Sequence, residues 1–560
     1  MSPNTTGLYY EDCSLLRETP RREIERTEQI GMHLGAPMVR VLGANVLVLA
    51  LALGGCRTSE DDVHRWANTV QGPRKLLAVL VHQKYPVELR VEAAATLISM
   101  KPRSGRRIGI QGSEDQPGLM DALAQLPPAA RNAIVSRLVP RLLAEMKKPP
   151  PVAQAGQPAP ADPSVPYKDA AFSLLTHNSG SLLADASQNA ALREALASWA
   201  STNFAERLDD SSQLFGVEQM MRELRADGVR SLPTLIAPGA SKIDRIAELI
   251  ADFGDPTTRM AASQKLVQVA KEVDSEAWIN QKAPAVEAAN RVSKITVTKE
   301  RFRKQLEQYQ EEELLRVFTS MKKVGGKPVA DYLLQFAQDK SRGEKRRAAA
   351  MAALQGNLDR NNPAHAEAVL TIAQAADTPD QLRDAAFARV GEFPRQMILS
   401  KLYGLFRNEN WKVRWVAAEL VLKTIETSDL PEFFKQLGQV GKGDGFAITE
   451  PLRYGALIAN MKGPPVREIV DKYAGTQHPV PVRMTALGYY FEAGSAADLP
   501  KIQPYEKDAA KAPTCREGAK ECEWKCEVVS GGSRETKDIS TVGDFVSYCI
   551  KPAMESRAKK

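Results

Sequence analysis

The chain has 560 residues, of which 43% are hydrophobic, 26% charged and 6% aromatic, proportions that are ordinary for a soluble folded protein. Its formal net charge of +7 is spread over interspersed basic and acidic residues. It therefore does not make the clustered basic face that nucleic-acid binding requires, and no nucleic-acid partner is expected. The apolar content leans on alanine and leucine, which favours helices.

The first distinctive element runs from Met38 to Cys56. A short positive region ending at Arg40 precedes an almost unbroken apolar run from Val41 to Leu53, and small residues follow. This order of features is typical of a secretory signal peptide. The apolar run is too short to cross about 30 Å of hydrocarbon as a helix. We therefore predict export.

The four residues that close this element, Leu53, Gly54, Gly55 and Cys56, resemble the lipobox of bacterial lipoproteins. The resemblance implies that Cys56 is lipidated and begins the mature chain. Arg57 follows where an aspartate would commonly signal retention in the inner membrane. By this resemblance the protein is an outer-membrane lipoprotein of the cell envelope, on the periplasmic side or at the cell surface.

The sequence divides into six predicted segments. Residues 1–37 form an upstream leader, which is not translated if synthesis starts at Met38. The others are 38–56, a lipoprotein signal peptide; 57–146, N-terminal helices; 147–166, a Pro/Ala-rich linker or loop; 167–500, an α-solenoid; and 501–560, a Cys-rich capping module. The linker is assigned because seven of the residues from Pro149 to Pro166 are proline, which no regular element tolerates.

A recurring skeleton organises the helical part of the chain. It consists of an apolar residue, an arginine, an alanine three residues later and an apolar residue seven after the arginine, most clearly in Val413, Arg414, Ala417 and Val421. The aligned arginines are Arg90, Arg259, Arg347, Arg383, Arg414, Arg453 and Arg483. The last five are 36, 31, 39 and 30 residues apart, a period that indicates a solenoid of helix pairs.

The skeleton places its alanine and apolar positions on one face of a helix, which we expect to pack inward. Residues that favour helix starts stand four positions before the arginine, so the arginine lies about one turn into the second helix of each pair. These predicted starts are Pro86, Asp255, Pro379, Asn410 and Pro479.

This combination resembles the HEAT-repeat family, whose second helices carry an apolar-Arg pair followed by alanine and leucine positions. We predict an all-α fold: an α-solenoid of HEAT-like helix pairs with a small disulfide-stapled C-terminal module of short strands. The resemblance also implies that the seven arginines make polar contacts between adjacent repeats, as a ladder along the solenoid. The family includes scaffolds, transport factors and enzymes, so the fold does not give the function.

Two stretches interrupt the array. Residues 298–323 are highly charged and predict a long solvated helix, with a coiled-coil partner site as the alternative. Residues 438–445 are glycine-rich but lack the Gly-Lys-Ser/Thr ending and the preceding strand of a phosphate loop, so we interpret them as a connection between helices.

Four cysteines cluster near the C-terminus: Cys515, Cys522, Cys526 and Cys549. In an exported chain they are expected to form two disulfides, and all three pairings remain open. A four-cysteine zinc site is the alternative, although the spacing lacks two Cys-x2-Cys pairs. Short strands are predicted at 524–529 and 538–550, in a module that covers the end of the solenoid.

Trp411 and Trp415 are four residues apart and share one helix face. They either pack against a neighbouring helix or anchor a binding partner. No catalytic motif, metal-ligand set or cofactor motif emerges, and the histidines are isolated along the chain. Neither a metal nor a small-molecule substrate is predicted.

The leading hypothesis is a non-enzymatic, lipid-anchored protein whose solenoid binds another envelope protein as a scaffold. One alternative is an enzyme, or an assistant to an enzyme, with a ligand in the groove of the solenoid. The other is the binding of a polyanion, such as nucleic acid or an acidic polysaccharide, by repeat arginines that face solvent.

Overall fold

The computed structural model describes residues 58–103, 105–149, 161–178, 180–439, 449–461, 465–512, 525–530 and 533–558. The leader and the lipobox residues Leu53, Gly54, Gly55 and Cys56 lie outside this part of the chain. From Glu60 onward the described residues form one contiguous unit. None of the helices in this part combines the length and the apolar character needed to cross a membrane.

The first half of the described chain is helical, with one pair of two-residue antiparallel strands. Its elements are α1 (Glu60–Trp66), α2 (Gly72–Val81), α3 (Val87–Ser99), α4 (Ile108–Gln111), β1 (Gly112–Ser113), β2 (Gln116–Pro117), α5 (Leu119–Gln125), α6 (Pro128–Met146), α7 (Val165–Thr176), α8 (Ala186–Ser201), α9 (Phe204–Leu208), α10 (Val217–Leu224), α11 (Ala226–Val229), a 3-10 turn (Leu232–Leu235), α12 (Ile243–Phe253), α13 (Pro256–Val273) and α14 (Glu276–Val292).

The second half continues with helices and ends in a hairpin and a final helical segment. Its elements are α15 (Lys299–Val324), α16 (Lys327–Gln338), α17 (Glu344–Ala353), α18 (Pro363–Gln374), α19 (Asp380–Val390), α20 (Arg395–Gly404), α21 (Trp411–Thr424), α22 (Leu430–Leu437), α23 (Thr449–Ala459), α24 (Val466–Tyr473), α25 (Val480–Ala493), α26 (Leu499–Ile502), β3 (Lys525–Ser530), β4 (Ser533–Asp538), α27 (Val542–Phe545), a π-helical turn (Val546–Ile550) and α28 (Lys551–Ala558). Short 3-10 turns lie at Leu405–Arg407, Thr427–Asp429, Ala496–Asp498 and Gln503–Lys507.

Consecutive helices pack as pairs, and the pairs stack into two layers. The pairs that carry the repeat skeleton are α2/α3, α12/α13, α16/α17, α18/α19, α20/α21, α22/α23 and α24/α25. The first helices of neighbouring pairs contact each other: α16 contacts α18, and α18 contacts α20. Second helices contact second helices, as α17 does α19 and α23 does α25. The fold is therefore an all-α solenoid of HEAT-like helix pairs, which confirms the predicted fold class.

The predicted helix starts are all N-cap residues of second helices: Pro86, Asp255, Pro379, Asn410 and Pro479. The side chain of Asn410 accepts a hydrogen bond from the backbone N–H of Lys412 at 3.0 Å. The side chain of Asp255 accepts one from the N–H of Thr258 at 2.6 Å. These bonds satisfy amide groups that have no partner within the helix, so they fix where each helix begins.

The inward face of the second helices is also as predicted. Val413, Ala417 and Val421 are fully buried in the core. The copy around Arg453 is rotated, because Arg453 is exposed while the next residue, Tyr454, is buried. The skeleton therefore marks the helix correctly at this position but not its inward face.

Helices α23 and α25 approach each other through two glycines. A Cβ atom at Gly455 would lie 2.2 Å from the carbonyl carbon of Gly488. A Cβ atom at Gly488 would lie 2.3 Å from the carbonyl oxygen of Pro451. Both distances are far below van der Waals contact, so only glycine allows these two backbones to meet.

One boundary differs from the prediction. Helix α7 begins at Val165, two residues inside the predicted linker, because Pro166 occupies its first turn, where the missing N–H of proline costs nothing. The residues between 150 and 160, which hold most of the prolines, lie outside the described chain.

The charged stretch predicted at 298–323 forms helix α15, which packs against α12, α13 and α17.

In the C-terminal module, one of the two predicted strands is present and the other is not. Strands β3 and β4 form an antiparallel hairpin in which Lys525 pairs with Asp538 and Cys526 with Lys537. The strand predicted over 538–550 is wrong, because β4 ends at Asp538 and helix α27 begins at Val542.

A capping box starts this unpredicted helix. The side chain of Thr541 accepts the N–H of Asp544, and the Asp544 carboxylate accepts the N–H of Thr541. The buried residues that follow lie one, three or four positions apart, a spacing that builds a helical stripe rather than a strand. They are Val542, Phe545, Val546, Cys549, Ile550 and Met554.

The module covers the end of the last helix pair. Arg557 of α28 donates from Nη1 to the carbonyl of Phe491 at 2.7 Å, from Nη2 to Tyr490 at 3.0 Å and from Nε to Gly494 at 3.1 Å. These carbonyls lie at the C-terminal end of α25 and at its C-cap, Gly494, where backbone carbonyls outnumber the N–H donors of the helix. The final helix thus occupies the position that a further helix pair would take.

Candidate partner-binding surface

The repeat arginines turn inward at most positions. Five of the seven are buried, with at most 8% of their surface exposed: Arg90, Arg347, Arg383, Arg414 and Arg483. Arg259 and Arg453 are exposed. The basic groove required for polyanion binding by these residues is therefore not formed.

Three of the buried arginines make the same bond, to the first helix of their own pair. Each Nε donates to a carbonyl ten residues earlier: Arg90 to Leu80 at 2.7 Å, Arg347 to Ala337 at 2.9 Å and Arg383 to Ala373 at 3.3 Å. These acceptors lie in the last turn of the first helix, whose carbonyls have no partner within the helix. The arginine thus serves as a C-terminal cap inside the pair.

Two further arginines follow a variant of this arrangement. Arg414 Nη1 donates to the carbonyl of Asn408 at 2.7 Å, just beyond the first helix, and Arg259 Nη2 donates to that of Ala251 at 2.7 Å. At the C-terminal end of the array, Arg483 forms an ion pair with Asp508.

The expected ladder of arginine contacts between adjacent repeats differs from what is observed. Within the described part of the chain, Arg453 bonds to the preceding pair, through Glu419 at 2.8 Å. The reason is local: a side chain one turn into the second helix lies next to unsatisfied carbonyls of its own first helix, and these are the nearer acceptors.

Ion pairs about one period apart link neighbouring helix pairs instead. In the layer of second helices they are Asp380–Lys412 and Glu419–Arg453; in the layer of first helices they are Glu367–Lys401, Asp429–Arg395 and Asp471–Lys501. A hydrogen bond from Arg453 holds the pKa of the Glu419 carboxyl below its ordinary value, and Lys412 lowers the pKa of Asp380 in the same way. A search for opposite charges 30 to 40 residues apart would have found these pairs.

Trp411 and Trp415 form a stacked pair on helix α21, with ring centroids 5.9 Å apart and planes inclined by 18°. Trp411 keeps 43% of its surface exposed, whereas Trp415 is half-buried. The structure thus separates the two roles left open for these residues: Trp415 packs against the neighbouring pair, and Trp411 faces solvent.

Contacts with helix α23 hold Trp415 in place. The guanidinium of Arg453 lies 5.8 Å from the Trp415 ring, and the hydroxyl of Tyr454 donates to the Trp415 carbonyl at 3.2 Å. Arg453 is itself fixed by Glu419 at 2.8 Å. The ring of Trp411 therefore stacks on the ring of Trp415, whose position is fixed by these contacts. We name Trp411, Trp415 and the flanking Lys412, Glu419 and Arg453 the tryptophan platform.

Two open clefts contain charged residues that bond mainly to one another. In a cleft of about 790 Å³ between α8 and α11, Arg193 donates to Asp227 at 2.8 Å and Arg230 to the same residue at 3.1 Å. In a cleft of about 470 Å³ beside α15, burial raises the pKa of Asp274 although Arg342 and Arg346 contact its carboxylate. Neither cleft assembles a catalytic set.

A cluster that sequence reasoning missed lies on α1, α3 and α6. The Glu92 carboxylate contacts His64 Nε2 at 2.7 Å and Arg141 Nη2 at 2.5 Å. Burial opposes ionisation, but the hydrogen bonds from Arg141 and His64 lower the pKa of Glu92. The three residues are far apart in sequence, so only the folded arrangement of the helices reveals them.

Lys168 is buried and stands where the repeat skeleton has its arginine, since Ala171 follows three residues later and Leu175 seven residues later. Lys168 Nζ donates to the carbonyl of Phe215 at 2.5 Å and lies 2.7 Å from Asp169, while burial lowers its pKa. Asp169 accepts the N–H of Leu214 at 3.0 Å and pairs with Arg107 at 3.2 Å. This network fixes the segment before α10, which is a structural role.

The cysteine cluster is described in part. Cys526 and Cys549 form a disulfide with a Cα–Cα distance of 5.5 Å, which joins β3 to the π-helical turn. Cys515 and Cys522 lie outside the described residues.

Comparisons with known proteins bear on the fold alone. No family model matches the sequence, and no curated protein does. Among solved structures, a mutant of Kap121p is similar at 11% identity and a TM-score of 0.28, and Kap121p bound to Nup53p at 12% and 0.28. Both matches cover 82% of this chain, which spans less than half of either, 46% and 44%.

Importin beta is similar at 13% identity and a TM-score of 0.23, over 83% of this chain and 70% of that one. The assignment of the solenoid therefore rests on the helix pairs, their N-caps and their buried faces.

Proposed function

We propose that this protein is a non-enzymatic scaffold that binds another protein of the cell envelope at the tryptophan platform. The single observation that carries the proposal is the exposed ring of Trp411, 43% accessible and stacked on Trp415. A large aromatic ring on a rigid support, surrounded by charged residues, is the usual anatomy of an interface hot spot.

The immediate surroundings of Trp411 support this role. Within the platform, Lys412 pairs with Asp380 and Arg453 pairs with Glu419. Charged groups that already hold each other need no new partner when a ligand excludes water from the ring. A docking protein thus gains the apolar area of Trp411 without leaving a charge unpaired.

Replacing Trp411 by alanine is expected to weaken binding of the envelope partner by about thirty-fold, since a central aromatic hot spot contributes about 2 kcal/mol or more. The measurement is quantitative co-purification from detergent-solubilised envelope, with the partner identified from the wild-type sample. Met260→Ala is the matched control, because Met260 is 44% exposed on another helix. Equal recovery of the same partner with both variants would contradict binding at the tryptophan platform.

We further propose that the protein is anchored to the outer membrane by lipid on Cys56, facing the periplasm or the cell surface. Support comes from the signal-like segment and from the resemblance of its last four residues to a lipobox.

Metabolic labelling with palmitate tests this anchor. We expect the label in the wild-type protein and its loss in Cys56→Ala, because the lipid is attached through the sulfur of that cysteine. Cys13→Ala serves as the control, since Cys13 lies in the upstream leader. Label that persists in Cys56→Ala would contradict the anchor.

A further inference from the structure

The end of α14, the turn after it and the start of α15 form an exposed helical corner. We call residues 290–304 the hairpin tip. At its extremity Val292 is 85% and Ile295 53% exposed, which places them among the most exposed large apolar side chains of the described residues. Neither is close to the tryptophan platform in sequence, and the proposed function does not use them.

The base of the hairpin tip is fixed by polar bonds. Asn290 Nδ2 donates to Gln305 Oε1 at 3.0 Å, and Gln305 Nε2 donates back to Asn290 Oδ1 at 3.3 Å. Leu306 is buried just below this amide pair. The tip is therefore held in a defined position on the solenoid.

A Schellman motif sets the conformation of the turn. Lys294 has a φ of 54°, its N–H donates to the Arg291 carbonyl at 3.1 Å, and the N–H of Ile295 donates to the Asn290 carbonyl at 2.9 Å. In this motif the residue in the position of Ile295 usually packs back onto the helix. Here more than half of Ile295 faces solvent instead.

The hairpin tip is also strongly basic. It contains six basic residues and one acidic residue, a formal charge of +5. Arg291, Arg303 and Lys304 have acidic partners. The other three basic residues show no ion pair within the described part of the chain: Lys294, Lys299 and Arg301.

We propose that the hairpin tip binds an anionic lipid surface, with Val292 and Ile295 entering the headgroup boundary and the cations contacting lipid phosphates. Apolar side chains surrounded by lysine and arginine are the chemistry of peripheral membrane segments. A stable protein interface needs about 800 Å² from each partner, far more than two aliphatic side chains at a corner supply. A bilayer requires no shape complementarity, so the two apolar side chains of Val292 and Ile295 are enough for insertion.

The test measures hydrogen exchange of residues 288–300 in the full chain, with and without vesicles. We expect slower exchange with phosphatidylcholine vesicles that contain phosphatidylglycerol, little change with phosphatidylcholine alone, and loss of the effect at high salt. A local readout is chosen because the signal segment and any lipid on Cys56 can also attach the chain to vesicles. The outcome is therefore independent of the proposed anchor.

Two variants sharpen the assignment. Val292→Ser with Ile295→Ser should lower the vesicle affinity of the tip about ten-fold or more. Replacing Lys294, Lys299 and Arg301 by glutamine should lower it about a hundred-fold, at roughly five-fold per charge. Val70→Ser is the matched control, because Val70 is 88% exposed elsewhere on the molecule. All these side chains are exposed, so the variants should fold normally.

Unchanged exchange at the hairpin tip with anionic vesicles would overturn the proposal, as would equal protection by neutral vesicles. Protection by soluble polyglutamate but not by vesicles would assign the tip to an acidic protein instead, and would also overturn it.

Discussion

Replacing Arg383 by alanine should lower the free energy of unfolding of the pair α18/α19 by about 3–4 kcal/mol. Arg383 is 4% exposed, and it donates to the carbonyls of Ala373 at 3.3 Å and Ala375 at 3.0 Å. It also pairs with Asp380 at 3.0 Å. Alanine would leave the carbonyl of Ala373, in the buried last turn of α18, without a donor, would take one of two donors from the Ala375 carbonyl, and would remove the ion pair with Asp380.

Hydrogen exchange of the amides in α18 and α19 is the appropriate measurement, because long repeat arrays do not unfold in a single step. Arg360→Ala is the matched control: Arg360 is exposed in the connection before α18, and its loss should change little. Arg383→Lys should recover only part of the stability, since lysine keeps the charge but lacks the forked donors. Identical exchange in Arg383→Ala and Arg360→Ala would contradict the capping role.

Removing the disulfide by the double substitution Cys526→Ala and Cys549→Ala should destabilise the C-terminal module by about 3 kcal/mol. The bond closes a loop with a sequence separation of 23 residues, and closing a loop of this length restricts the unfolded chain by about that amount. Because Cys549 lies beside the buried Ile550 in the turn that leads to α28, we expect the final helix to loosen from α25 as well.

Limited proteolysis and hydrogen exchange over residues 525–558 would measure this effect. The amides of α17 to α19 provide the internal control, since no described cysteine lies near them, and they should exchange as in the wild type. Addition of a reductant to the wild-type protein should reproduce the effect of the double variant. A module that is equally protected with and without the bond would show that helix packing alone holds it.

The helix pairs could be predicted because local chemistry specifies them. An N-cap such as Asn410, followed by apolar residues at helical spacing such as Val413, Ala417 and Val421, determines both the start of a helix and its buried face. These rules need only a few neighbouring residues, so they can be read without a fold. After Asp538 the prediction of a strand is wrong, because the Thr541 capping box starts a helix there.

The candidate site was only partly predictable. The sequence indicates that Trp411 and Trp415 share a helix face, but not which of them the neighbouring pair covers. That depends on the rotation of α23, which brings Arg453 rather than Tyr454 to the surface. Likewise, the ion pair between Glu419 and Arg453 requires the register of two helices that are 34 residues apart.

The bonding of the repeat arginines was also beyond the sequence. A long guanidinium side chain can reach either the neighbouring repeat or its own first helix, and the family resemblance favoured the former. The backbone decides the matter, because the carbonyls of Leu80, Ala337 and Ala373 lie within reach at the ends of their first helices and have no partner within the helix. Arg90, Arg347 and Arg383 each bond to a carbonyl ten residues earlier in the chain. This regularity depends on where the carbonyls lie in the folded protein, so the sequence alone does not reveal it.

The location of these arginine bonds has a mechanical consequence. The buried guanidinium groups of Arg90, Arg347 and Arg383 each close a helix pair on itself, whereas ion pairs between neighbouring pairs, such as Asp380–Lys412, lie at the surface, where water and salt can weaken them. The bonds inside a pair and the ion pairs between pairs therefore differ in their exposure to solvent. Under a pulling or bending force these exposed ion pairs should break before the buried arginine bonds inside a pair.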